Sequence, residues 1–200
     1  MEDKNIINNH IKNIFLNSYK KRNEKPFEKK EKDKKRVETE NWSFSNEHYS
    51  YENQLKMIKD IHINNYDTNN NDTNNNDTNN NVSKIALQQI NRKIYGYKQQ
   101  DILKKKFKEE NFLTLKSVID KMVECELKCY YCKCEMNVLY DISREMHQWT
   151  VDRIDNSLGH NLDNYYLACL DCNLKRRTRS DEKFLFTKQL KIVKTDTEKN

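Results

Sequence analysis

Two short cysteine pairs constrain this chain more than any other feature. Cys129 and Cys132 are separated by two tyrosines, and Cys169 and Cys172 by a leucine and an aspartate. A Cys-x-x-Cys knuckle presents two thiolates from one tight turn, and two knuckles supply the four soft ligands of a tetrahedral zinc ion. Any fold that satisfies this pairing must bring two distant segments together. The expected site is closed and structural, and it stabilises a domain whose own core is small. Cys125 and Cys134 are spare. Two register swaps stay open: Cys134 in place of Cys132, or Cys125 in place of Cys129.

Composition limits how much of the chain can share one core. Of 200 residues, 35% are hydrophobic and 34% are charged, with a mean hydropathy of −1.14. That balance predicts one small folded unit with long solvated segments. The net charge of +6 suits a polyanionic partner, and suits a merely basic soluble protein as well. No apolar run is long enough to cross a bilayer, and the first ten residues lack a hydrophobic signal core. The expectation is therefore an intracellular protein, cytoplasmic or nuclear and not secreted. In a reducing compartment such cysteines serve a metal more often than disulfides.

Four regions follow from the pattern. Residues 1–63 read as a charged, mostly disordered leader. Ile6, Ile7, Ile11, Ile14 and Phe15 suggest a short helix within it, and Lys20-Lys21-Arg22 and Lys34-Lys35-Arg36 a targeting or solvated stretch. Residues 64–82 carry three Asp-Thr-Asn-Asn-Asn repeats and read as a low-complexity linker. Residues 83–128 read as a helical basic arm. Ile85, Ile90, Ile94 and Tyr97 share a helical face that Gly96 weakens, and the pattern continues through Lys104, Lys105 and Lys106. Phe112, Leu115, Ile119, Met122 and Val123 mark an amphipathic helix that Asn111 or Thr114 can cap. Residues 129–195 hold the zinc domain.

Within that domain Val138–Tyr140 reads as a short strand, Trp149–Ile154 as a second and Tyr165–Ala168 as its partner. Asp155–Gly159 is turn-rich, and Asn173–Thr178 reads as a helix. Trp149 is a core residue, and one of Tyr165 and Tyr166 faces inward. Polar groups gather between the knuckles: Asp152, Arg153, Asp155, His160, Asp163 and Asn164, then Asn173 and a basic run of Lys175, Arg176, Arg177 and Arg179.

The string from Cys129 through Val151-Asp-Arg-Ile-Asp-Asn156, Gly159-His160, Asp163-Asn164 and Cys169 to Asn173 resembles the zinc-stapled HNH nucleases, with their ββα-metal fold. It is most similar to uncharacterised versions found in large DNA viruses and phages. The resemblance covers residues 95–180. It implies an α+β domain, treble-clef-like, with a helical N-terminal arm, and a metal-dependent endonuclease acting on phosphodiesters, with double-stranded DNA as partner. Structural zinc would sit on Cys129, Cys132, Cys169 and Cys172. A catalytic Mg²⁺ or Mn²⁺ would sit on Asp152 and Asn173, with Asn164 tying the loop. Lys104, Lys105, Lys106, Lys175, Arg176, Arg177 and Arg179 would face nucleic acid, and a homodimer would suit cutting of both strands.

One position departs from that pattern. Arg153 stands where the family carries a water-activating histidine, and arginine cannot act as a general base. His160 can take that role from the loop. Alternatively the cation alone activates water while Arg153 clamps phosphate, or the domain only binds DNA. His147, ahead of the strand, is a weaker base candidate. The rival functions are a catalytically inactive zinc-dependent DNA-binding module and a zinc-stapled protein-interaction domain.

Overall fold

A two-stranded antiparallel hairpin with a helix laid across it forms the centre of the computed structural model, which describes residues 13–15, 34–64 and 78–193. Six further strands and helices accompany this unit among the described residues. In chain order the elements are β1 (Asn13–Phe15), α1 (Tyr51–Ile63), α2 (Thr78–Leu103), α3 (Leu115–Glu124), β2 (Trp149–Arg153), β3 (Tyr165–Cys169), α4 (Leu170–Arg176), α5 (Asp181–Gln189) and β4 (Lys191–Val193). The architecture is α+β. β2 pairs with β3 in the register Trp149↔Cys169 to Arg153↔Tyr165, and β1 pairs in parallel with β4.

The β2–β3 pair forms where alternating β-formers flank a turn-rich loop, and α4 follows without a break. Trp149 is fully buried, and Tyr165 is buried while Tyr166 is only half-buried, so the expected alternation holds. α3 starts at Thr114, whose side chain accepts from the Ser117 amide while Ser117 reaches back to Thr114. This reciprocal cap fixes the helix whose Val118, Ile119 and Met122 enter the core.

Several sequence expectations change. Residues 34–63 are not a detached leader. Ile58 and Ile61 of α1 are buried in the same core as α3, and Arg36 donates to the Tyr140 carbonyl and to Gln89 of α2. The expected helix over residues 1–18 is extended where it is described, at Asn13–Phe15, because that segment pairs with β4. Lys20-Lys21-Arg22 and most of the repeat lie outside the described residues, while the last repeat's Thr78 already begins α2. α2 runs through Gly96 without interruption and is packed rather than an arm, with Val82, Ala86, Leu87 and Ile90 buried.

The helical pattern does not continue through the lysines: α2 ends at Leu103, and Lys105 takes a left-handed φ of 56°. Val138–Tyr140 is not a strand either. The Val138 and Leu139 amides both donate to the Gln54 side-chain oxygen at 2.8 Å, so a buried glutamine of α1 replaces a neighbouring strand.

Candidate metal centre and polar core

The metal cluster is built by backbone. The chain doubles back after Cys132 through Lys133, which has a left-handed φ of 60°. The Cys129 amide then donates to the Cys134 carbonyl at 2.8 Å, and Lys128 pairs with Glu135. The second knuckle opens α4, where the Cys172 amide donates to the Cys169 sulfur at 3.4 Å. The ligand atoms of Cys129, Cys132, Cys134 and Cys169 all lie within 4.8 Å of one another. The Cys172 thiol meets those of Cys129 and Cys169. Cys125 stands apart, its thiol directed at the Met122 carbonyl, so it does not substitute for Cys129.

This donor set fits a soft, four-coordinate cation. Tetrahedral zinc with Zn–S bonds of about 2.3 Å sets its sulfurs about 3.8 Å apart, and the Cys132 and Cys169 sulfurs are 3.8 Å apart. Without a cation the crowded thiols are in conflict. S–H donation from Cys169 and Cys172 holds the Cys129 thiol below its ordinary pKa, and contact with Cys129 pushes the Cys172 thiol up. A bound dication would stabilise all of its thiolates together.

The polar core tells a different story from the expected hard-cation site. Asp152 lies on the β2 face that α4 covers, and it is 4% exposed. Its Oδ2 accepts from the Tyr131 hydroxyl at 2.7 Å, and its Oδ1 accepts from Arg176 Nη1 at 2.8 Å. Arg176 is fully buried, and its Nη2 donates to the Ile154 carbonyl at 2.8 Å. Burial pushes the Asp152 carboxyl up, and Tyr131 and Arg176 oppose the shift. Asp152 thus has both oxygens engaged, and a guanidinium already supplies the positive charge that a cation would bring. In this arrangement the pair Asp152 and Asn173 does not fit Mg²⁺ or Mn²⁺. Asn173 donates to Thr150 Oγ1 at 3.0 Å and to the Val151 carbonyl, locking α4 onto β2. Arg176 is likewise not a nucleic-acid contact, because it points into the protein.

The loop between β2 and β3 is held from both ends. Asn164 accepts from the Asp155 amide and donates to the carbonyls of Asp155 and Gly159, so it ties the loop. Arg153 donates to the Leu158 carbonyl within the same loop. His160 is 3% exposed, its ring stacked on Tyr97 with centroids 4.6 Å apart. Its Nδ1 lies 2.9 Å from Asp101 Oδ1, and its amide donates to Asp101 Oδ2. Burial pushes the imidazole down, against the Asp101 carboxylate. His160 is therefore enclosed and pinned rather than free to swing toward a substrate. Gly159 permits this clamp, since a Cβ there would stand 2.6 Å from the Lys106 carbonyl. His147 is exposed on the approach to β2.

Asp101 and Tyr131 are site residues that sequence reasoning missed. The remaining basic residues form one edge. Lys106 Nζ donates to the Asn156 carbonyl at 2.5 Å, and the Asn156 side chain donates to the Arg177 carbonyl at 3.4 Å. Asn156 thereby joins the run Lys104, Lys105 and Lys106 to the run after α4. Lys104, Lys105, Lys175, Arg177 and Arg179 are exposed, and the last three line an open recess with Met146, Asp171 and Leu174. Lys175 is shared with Asp171 in an exposed ion pair of 2.7 Å.

Among the described residues, no helix is long and apolar enough to cross a membrane. No protein-family model matches the chain, and no solved structure matches it. An uncharacterised protein of Acanthamoeba polyphaga mimivirus is 34% identical over 74 residues, which is 37% of this chain and 12% of that protein. The chain thus spans about an eighth of the length of the viral relative it matches.

Proposed function

We propose that this chain is a zinc-stapled nucleic-acid-binding protein, with duplex DNA as the ligand. The observation that carries the reading is the bridge at Asn156, which sets two basic runs side by side on one exposed edge. Exposed Lys and Arg side chains on such an edge neutralise phosphates and release counterions, giving affinity without base readout. The thiol cluster supports the same reading, because it staples the hairpin and α4 against which the edge is built. Binding of a 20-base-pair duplex, followed by anisotropy across a salt series, tests it. The slope of log K against log salt should fall by about 0.9 for each phosphate contact removed. Lys104→Glu with Lys105→Glu, and Arg177→Glu with Arg179→Glu, should each weaken binding and flatten that slope. Absence of binding at low salt would refute the reading and leave a zinc-stapled interaction domain.

Phosphodiester cleavage of the HNH type is the second reading. It is favoured by the gathering of Asp152 and Asn173 where α4 crosses β2, and by Asn164 tying the adjoining loop. It requires that DNA and a divalent cation together release Asp152 from Arg176. Incubation with supercoiled plasmid and Mg²⁺ or Mn²⁺ decides between the two: nicking that is lost in Asp152→Ala establishes cleavage, and its absence leaves binding alone.

A further inference from the structure

The thiol cluster holds one sulfur more than a tetrahedral ion needs, and its geometry says which sulfurs compete. Cys169 is the hub. On one side the Cys134 thiol meets those of Cys132 and Cys169, and on the other the Cys172 thiol meets those of Cys129 and Cys169. Cys169 is common to both groupings, with Cys132 beside Cys134 and Cys129 beside Cys172. Adding Cys134 to Cys129, Cys132 and Cys169 gives a set whose ligand atoms all lie within 4.8 Å of one another. Adding Cys172 gives the two-knuckle set, with the Cys172 amide already bound to the Cys169 sulfur. The backbone at both outer cysteines is held in place. Cys134 is fixed by its carbonyl's bond to the Cys129 amide, and Cys172 by its place in the first turn of α4.

We propose that the metal centre has two registers, in which Cys134 and Cys172 alternate as the fourth thiolate around a fixed triad of Cys129, Cys132 and Cys169. Each register completes a four-sulfur tetrahedron, which soft thiolates favour over the replacement of one sulfur by water. Exchange between them needs only the approach of one sulfur as the other leaves, with the three shared ligands in place. Cys134 is half-buried and Cys172 fully buried, so the two registers differ in how far the ion is screened from water.

Cobalt substitution of the full chain reads the number of bound thiolates directly, and zinc content gives the stoichiometry. Cys134→Ser and Cys172→Ser should each keep one metal per chain and a four-thiolate cobalt spectrum. The double variant should lose about a quarter of the thiolate charge-transfer intensity, as three sulfurs replace four. Cys129→Ser and Cys169→Ser should lose a thiolate singly, because each belongs to both registers. A three-thiolate spectrum in Cys172→Ser with Cys134→Ser unchanged would overturn the proposal in favour of the two knuckles. The reverse result would overturn it in favour of a fixed set containing Cys134. Should either variant fold poorly, cysteine ¹³Cβ shifts of the unsubstituted zinc-loaded chain give the same answer. Two registers leave both Cys134 and Cys172 between the free and metal-bound positions, whereas a fixed set leaves one of them fully free.

Discussion

Replacing Asp152 and Arg176, singly and together, tests whether their pairing is what holds α4 to the hairpin. Their side chains are 5% and 1% exposed, so neither charge is hydrated. Removing one partner of such a buried pair costs about 3–5 kcal/mol, mostly because the other charge is left uncompensated. Arg176→Met also gives up the bond to the Ile154 carbonyl. Asp152→Asn keeps an acceptor for Tyr131 but strands the guanidinium. Each single variant should therefore lose about 3 kcal/mol, which is about 1–3 M in urea midpoint. The double variant should lose about 3–4 kcal/mol rather than the sum, a coupling of about 2–3 kcal/mol. Urea unfolding by circular dichroism, at one fixed zinc concentration, measures all four corners of the cycle. A pH arm sharpens the test. The Asp152 carboxyl is already raised by burial, and Arg176→Met removes a group that lowers it. A raised carboxyl penalises the fold fully above its folded pKa, and the penalty is relieved as pH falls through that value toward the ordinary 3.8. The deficit of Arg176→Met relative to the unsubstituted chain should thus shrink on mild acidification. Additive single effects, or a deficit that does not change with pH, would refute the argument.

Three further outcomes are expected. The Lys93 ammonium donates to Gln148 and the Trp149 carbonyl, and burial pushes its pKa down to about 7. Stability should rise as pH climbs from about 7 toward 10.5, where the unfolded chain still holds the proton, and the rise in melting temperature should be smaller in Lys93→Met. Gly159→Ala places a Cβ 2.6 Å from the Lys106 carbonyl and 2.8 Å from Asp101 Oδ2. It should cost about 1–3 kcal/mol, with hydrogen exchange at the His160 amide rising more than exchange in α3. Chelation of zinc should abolish the near-ultraviolet signal of Trp149 and the neighbouring tyrosines, and readdition should restore it, because binding energy at such a site is folding energy.

What was legible in the sequence was local. Trp149–Arg153 and Tyr165–Cys169 alternate in β-formers, Thr114 stands just ahead of an amphipathic run, and the knuckles carry their own spacing. What was not legible depended on a partner far along the chain. Asp101 meets His160 across 59 positions, and Gln54 serves Val138 across 84. No periodicity announces either bond. The basic run after Asn173 misled because charge was read without phase. Asn173 and Arg176 are three residues apart and share the helix face turned to β2, whereas Lys175 and Arg177 face solvent. A helical wheel over Leu170–Arg176 would have separated Asn173 and Arg176 from Lys175. The structural partner of Arg153, the Leu158 carbonyl, lies in a loop whose course only the fold reveals.

The position of the Asp-Thr-Asn-Asn-Asn repeat bears on how this protein can change over generations. The first two copies of the repeat lie between α1 and α2 and the third opens α2; both helices contribute to one core, so the repeat is internal to the folding unit rather than a hinge ahead of it. Doubling the span between two packed elements costs only about 0.6 kcal/mol in closure entropy. Replication slippage can therefore lengthen or shorten the tract by whole repeats while selection on the fold scarcely registers it. A truncation placed just after the tract is another matter, for it removes Ile58, Ile61 and the glutamine that holds residues 138–139, and takes one wall of the core with it.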